Sequence, residues 1–521
     1  VWLIGAVPFA VLVAASGAVG QQAGRPAASR VAEPVVPRAW DDAALTRMEL
    51  PNAALGVAPQ HVPAAYYYRL PVVRVYRTYP VYAPGREPKG YLASLRRRKP
   101  EVVSFDRARM KTERDWVRAG EAVFHDSAGV ALPLTFVPDA AFIREAGIPV
   151  ARDGTLPFFR YVIRERGKVE FADFSCANCH TRVMPDGDVV KGAQGNFPWD
   201  RYYVRRRRKA GLHEKQLRGD DRFTFAAPWL GDKDPSTLLA AHPVGRVEAG
   251  RSAIPPGVVA RHGASALAPV KVPDLIGVRD RRYLDATGLL RQDSVADLMR
   301  YAAFNTGLDF GSEYPVPDSK TGTGGRGGFI PLTVLTGEKG LPADPAQFGP
   351  RYSDEQLYAL ARYLYALRPP ANPNPKGAAA RRGAAVFGRS GCVSCHPAPL
   401  YTNNKLAPAP GFTPPDGHPA ARDILPSTVG TDPALALYTR RGTGLYKVPS
   451  LRGVWYRGMF GHDGACATLE DWFDPRRLRP DYVPTGFKGF GVERRAVPGH
   501  EFGLDLTARE KADLIAFLRT L

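Results

Sequence analysis

Two short stretches concentrate the residue types able to do chemistry. "SCANCHTR" carries Cys176, Cys179 and His180, and "GCVSCHPAP" carries Cys392, Cys395 and His396. Cys-x-x-Cys-His is the attachment signature of c-type haem. Two thiols at this spacing share one helical turn, from which their sulfurs add to the two vinyl groups of a porphyrin. The adjoining imidazole then supplies the fifth ligand of the iron. A zinc site would require the two thiol pairs to converge from distant parts of the chain and would leave both histidines idle. A thioredoxin-like disulfide belongs in a βαβ context, which the sequence around Phe171–Val190 does not offer. The chain is therefore expected to carry two covalently bound haems c. Cys176, Cys179, Cys392 and Cys395 would anchor them, with His180 and His396 on the irons. Cys466, inside "HDGACATLEDW", reads as a small buried packing residue.

The elements that must position these motifs repeat. "RAGEAVF" (Arg118–Phe124) precedes the first and "RRGAAVF" (Arg381–Phe387) the second; "KVPDLIGV" (Lys271–Val278) follows the first and "KVPSLRGV" (Lys447–Val454) the second. Each unit closes with an amphipathic helix. In "YSDEQLYALARYLYALRPP", Leu357, Leu360, Ala361, Leu364 and Tyr365 form one apolar stripe, Ser353 with Gln356 reads as a capping box, and Pro369–Pro370 stops the run. In "LTAREKADLIAFLRTL", Thr507 with Glu510 caps and Leu514, Ile515 and Leu518 form the stripe. The predicted architecture is mainly α. It comprises two cytochrome c-like haem domains with long loops, at residues 111–370 and 376–521, joined by "PPANPNPKG". Residues 25–110 read as an irregular N-terminal extension, in which "RLPVVRVYRTYPVYAPG" suggests short strands or an arm. "PDSKTGTGGRGG" (Pro317–Gly328) reads as a surface loop.

Bulk properties agree with a globular, loop-rich chain: of 521 residues, 44% are hydrophobic and 23% charged, with 52 Gly and 49 Pro. Residues 1–24 open apolar and turn small and polar, as a secretory signal does, with a retained membrane anchor as the alternative. Either predicts export, to the periplasm or outside. The net charge of +20 centres on "RYYVRRRRKAG" (Arg201–Gly211), whose tyrosines raise nucleic-acid binding; a solvated basic face or a docking patch for an acidic redox partner is the preferred reading.

The two motifs together with "KVPSLRGVWYRGMFGHDGACATLEDWF" resemble the bacterial di-haem cytochrome c peroxidase superfamily, which includes the methylamine-dehydrogenase maturation enzyme and the rubber oxygenases. The resemblance runs from about Asp115 to Leu521 and is densest in Val448–Trp472. It implies that the haem on His180 meets the oxidant and the haem on His396 holds or relays an electron. Departures from the peroxidase pattern are visible. No histidine follows the first motif in "VMPDGDVVKGAQGNFPWDR", where Met184 reads as packing. In "RRYLDATGLLRQDSVADLMRYAAF" Asp285 survives while the peroxidase Trp and Gly-Arg do not, leaving Asp297 as the stand-in for the peroxide-cleaving acid. Tyr301 and Phe304 read either as the lining of an apolar pocket over the first haem or as core, and Met299 as core. No methionine follows the HDG segment. His500, in "VPGHEFGLDL", instead matches by position the second imidazole of the rubber oxygenases, so the lean is toward that branch. His462 reads as a hydrogen-bonding neighbour of the second haem, His125 as a core residue with ligation of the first iron as the alternative, and Arg452 as a propionate partner.

The resulting expectation is an exported di-haem oxidoreductase. It would activate peroxide or O2 at the first haem and draw electrons through the second from a small cytochrome or cupredoxin. The alternative is an electron carrier whose irons are both six-coordinate. Neither nucleic acid nor membrane, beyond an N-terminal anchor, is an expected partner.

Overall fold

The computed structural model describes residues 35–261, 263–315 and 340–521. The signal-like residues 1–24, His262 and the glycine-rich loop 317–328 lie outside the described residues. Residues Val36–Leu521 form one contact unit, mainly helical.

Two helix crossings are the most extensive element contacts. Helix Glu113–Phe124, opened by a Thr112/Asp115 capping box, crosses helix Asp354–Ala366, opened by the expected Ser353/Gln356 box. Helix Ala378–Arg389 crosses helix Ala508–Leu518, opened by the expected Thr507/Glu510 box. A glycine makes each crossing close. A Cβ added at Gly120 would lie 1.9 Å from the Ala359 carbonyl oxygen, and one at Gly383 1.9 Å from that of Asp513. One turn further on, Phe124 meets Tyr363 and Phe387 meets Phe517, each pair with ring centres 5.2 Å apart. The repeated "G-x-A-V-F" segments thus do the same packing job twice.

The interval between Phe124 and Cys176 holds a hairpin, Thr155–Glu165 against Lys168–Ala172. Strand Thr78–Tyr82 joins its other edge to make a three-stranded antiparallel sheet. The remaining ladders are short; two of them, Val258–Val259 with Val270–Lys271 and Leu406–Pro408 with Leu445–Lys447, lead into the repeated Lys-Val-Pro segments.

The segment read as an arm is core. Trp40 is fully buried, stacks on Tyr67 at 4.7 Å and donates from Nε1 to the Val62 carbonyl at 2.6 Å. Val62, Tyr67, Val73 and Val75 share one apolar cluster with Trp116, Phe124, Met299, Phe304 and Leu357. Polar ties add to this: Gln356 Nε2 donates to the Val73 carbonyl at 2.9 Å, His61 bridges Ser312 (2.8 Å) and Glu49, and Asn52 reaches the Arg440 carbonyl at 3.1 Å. Most of this stretch lacks regular backbone structure, so its burial leaves no periodic signal in the sequence.

The basic run forms helix Trp199–Lys209, and its charges are spent internally. Arg205 pairs with Asp139, Arg206 with Asp173 (3.0 Å), Arg207 with Asp220 (2.9 Å) and Asp221 (2.8 Å), and Arg208 with Glu248 (2.9 Å). Arg201 donates to the Ala146 and Ser252 carbonyls. Arginines so committed do not present a free phosphate-binding face.

Candidate functional site

Both thiol pairs sit on single turns. Cys176–Cys179 is one helical turn, entered by a Ser175/Asn178 capping box; Cys392–Ser394 is a tighter turn entered through Gly391 at φ 75°. The four cysteines are free thiols, and burial pushes Cys176 up to about 12 and Cys179 up to about 11. Cys466 is free and fully buried.

The histidine of each motif is held by a backbone carbonyl. His180 Nδ1 lies 3.0 Å from the Pro273 carbonyl, and His396 Nδ1 lies 3.0 Å from that of Tyr401, with Pro449 also acting on it. An Nδ1–H donated to a carbonyl leaves Nε2 with its lone pair, the tautomer that binds a metal. Burial lowers both imidazoles, His180 to about 4, so each is neutral at physiological pH. Pro273 and Pro449 are the prolines of the repeated "KVP" segments, which gives that repeat a physical role.

His500 faces His396. Their ring centres are 6.4 Å apart, and both line one cavity of about 2080 Å³, open mouth included, together with Cys392 and Cys395. Two imidazoles bound to one metal from opposite sides, through bonds of about 2.0 Å, have ring centres about 6 Å apart. The apolar wall includes Phe387, Leu451, Val454, Phe460, Trp472 and Leu514, as a porphyrin face requires. The residues present therefore fit a covalently anchored haem with two axial histidines.

The turn that delivers His500 is tightly defined. His500 takes φ 48°, a left-handed value unusual outside glycine. Its amide donates to the Val429 carbonyl at 2.6 Å. Buried Arg477 donates to the carbonyls of Trp472, Val497, Gly499 and His500, fixing the loop from beneath. Burial, with His396 opposite, lowers the His500 imidazole to about 4. Backbone strain of this kind persists where the surroundings overdetermine it.

The other expected residues fall in several places. His462 lines the same cavity, with Nδ1 3.2 Å from Thr431 Oγ1. Arg452 is half-exposed, 3.7 Å from Asp280, and is not among the residues lining that cavity. Asp297 is occupied at the start of helix Val295–Asn305, where Oδ2 accepts from the Ser294 amide and hydroxyl and Oδ1 from Arg300 at 2.6 Å. Phe304 is fully buried against Trp40 and His61, and Met299 is fully buried. Tyr301, on the same helix, has its hydroxyl 3.5 Å from Asp285. Met184 packs beside Val190 and Tyr456. His125 is buried with neither ring nitrogen hydrogen-bonded. Among the described residues no group of three or more His, Cys, Asp or Glu side chains gathers as a metal site, so the two thiol pairs do not converge.

Sequence reasoning missed the cationic side of the cavity. Lys271, Arg281, Lys447 and Arg457 all line it. The signal available was the repeated lysine of "KVPDLIGV" and "KVPSLRGV".

The methylamine utilization protein MauG of Methylorubrum extorquens is 29% identical to the chain over 146 residues. Together with the two Cys-x-x-Cys-His motifs, this likeness supports kinship with the di-haem cytochrome c peroxidase superfamily. The match covers 28% of this chain and 35% of MauG, so the chain spans about a third of the length of this superfamily relative. No family model matches the chain. Two solved structures overlap it weakly. One is a MauG-like protein associated with microbial copper homeostasis (18% identity, 48% of this chain and 75% of that one, TM-score 0.27). The other is hydrazine synthase of Kuenenia stuttgartiensis (20% identity, 33% and 57%, TM-score 0.21). Both overlaps are too slight to carry an argument. Neither MauG nor these structures is a rubber oxygenase, so the lean toward that branch of the superfamily gains no support from them.

Proposed function

We propose that the chain is an exported di-haem c-type oxidoreductase of the peroxidase type. The His180 site would meet peroxide or O2, and the His396/His500 site would pass electrons to it from a small redox protein. The observation that carries this reading is the opposed pair His396 and His500, 6.4 Å apart in a cavity that also holds Cys392 and Cys395. When bound, haem iron supplies the one-electron and O–O chemistry. The residues of the chain do the rest. His396 and His500 would together hold the second haem and leave no position there for an oxidant, which suits electron relay. The carbonyls of Pro273 and Tyr401 hold the proximal imidazoles in register. At the first site the Pro273 carbonyl holds His180 in the same way. Tyr301, beside Asp285, is the remaining buried hydroxyl of its helix able to orient an oxygen ligand or move a proton; Asp297 and Phe304 have structural contacts instead.

The test is spectroscopic. Intact mass should exceed the polypeptide by two porphyrins. EPR should show one low-spin and one high-spin centre, with CO binding to a single ferrous haem. His500→Ala should convert the low-spin centre to high spin and create a second CO site. A mass without porphyrin, or a His500→Ala spectrum unchanged from wild type, overturns the reading.

One observation favours the carrier alternative: neither nitrogen of buried His125 is hydrogen-bonded, which leaves the ring available to a metal. Two low-spin, CO-inert haems, one of them turned high-spin by His125→Phe, would establish that alternative.

A further inference from the structure

The cavity lined by His396 and His500 extends to the loop that holds His180, and its lining carries four cationic side chains with one carboxylate contact among them, Asp274 at 3.9 Å from Arg457. Neither Lys271 nor Lys447 has a hydrogen-bonded or ion-paired partner for its ammonium among the described residues. Arg281 donates only to the carbonyls of Asp274 and Ile276. Arg457 donates to the Ser450 carbonyl at 2.8 Å, while its buried Nε makes no hydrogen bond and stands 3.9 Å from Asp274.

The nearby carboxylates are already engaged. Asp274 accepts from Tyr456 at 2.7 Å and stands 3.9 Å from Arg457; Asp463 is taken by Arg495 at 2.5 Å; Asp285 accepts from the Ala286 amide. Burial and neighbouring cations push Lys271 down to about 8 and Lys447 down to about 7. Four cationic groups facing one space, each within the field of others, are costly unless an anion joins them.

The placement of the cluster points to the anion. Lys271 and Lys447 are the equivalent residues of the two "KVP" repeats. Pro273, two residues after Lys271, holds His180; Pro449, two residues after Lys447, acts on His396. Both lysines nevertheless face the same cavity. A porphyrin carries two carboxylates opposite its thioether edge, and each anchored haem would need cations at that end.

We propose that Lys271, Arg281, Lys447 and Arg457 form one shared anion site between the two haem-anchoring loops, taking carboxylates from both porphyrins and so coupling the charge of one haem to that of the other. This rests on the two-haem reading above. A cation beside a haem favours its reduced form, which carries one more negative charge, so removing a cation lowers the potential. Because the site is shared, one substitution moves both haems.

The experiment is potentiometric titration, followed optically and by EPR, of holoprotein carrying Lys447→Gln or Lys271→Gln, with Lys447→Arg and Lys271→Arg beside them and porphyrin content checked by mass. Each Lys→Gln should make both haems about tenfold harder to reduce, a fall of about 59 mV for one electron. Each Lys→Arg should restore the wild-type values. Porphyrin loading lost in Lys→Gln and regained in Lys→Arg supports the site equally. Loaded protein with potentials unmoved, or with one haem moved alone, overturns it. Wild-type protein free of porphyrin sinks the two-haem reading itself, a different result.

Discussion

His125 is buried at the end of helix Glu113–Phe124, and burial, with Arg160 and Lys191 nearby, holds its imidazole well below the usual 6.5. The unfolded chain therefore takes up a proton below about pH 6.5 that the folded chain refuses. The associated stability is complete above that pH and is lost as pH falls. His125→Phe should gain stability relative to wild type on going from pH 7.5 to 5.5, measured by urea unfolding of the holoprotein. An equal difference at both pH values would contradict this. At the residue scale the sequence was most legible where chemistry is local: Cys-x-x-Cys-His sets out its candidate anchors and ligand within five positions. Asp297 and Arg452 were harder. A carboxylate three residues after a serine at a helix start is first a capping group, and that is the job its contacts show. Lys271 and Lys447 were passed over because a lone lysine reads as surface; only their recurrence ahead of Val-Pro marked them.

The two helix crossings make the next prediction. At Gly120 and Gly383 an added methyl would meet a backbone carbonyl, which cannot step aside as a side chain can. Gly120→Ala and Gly383→Ala should each destabilise by about 3 kcal/mol, at the upper end of overpacking costs. Both should show as a lowered thermal midpoint and poorer haem loading. Substitution at Gly388, one turn beyond Gly383 with open space around it, serves as the control and should change little. The capping boxes and apolar stripes of both closing helices were readable beforehand, because helix periodicity is a local property. The three-stranded sheet was not. Its strand Thr78–Tyr82 alternates and lies in a stretch read as short strands, but its partner is some eighty positions away, so the pairing was not announced.

At the scale of the molecule, residues 36–110 are part of the structure that carries the first haem motif, where sequence composition suggested only an extension. Trp40→Ala should cost about 3–5 kcal/mol, the range for deleting a buried aromatic, and should lower the denaturant midpoint of the whole first half. Retention of the wild-type midpoint would mean that the segment is dispensable. The charge balance teaches a related lesson. The excess of 71 basic over 51 acidic residues was legible, but its distribution was not. The densest arginine run is the most thoroughly neutralised, by carboxylates scattered from Asp139 to Glu248.

The contact between the Ala39 amide and Asp354, 3.0 Å long, joins residues 315 positions apart. Synthesis runs at about 5–20 residues per second, so the Trp40 segment emerges from the ribosome about half a minute before the helix that covers it exists. Through that interval Trp40 and the three consecutive tyrosines have one another and Val62 as native partners. A chain built this way leaves that aromatic surface uncovered until its last third arrives.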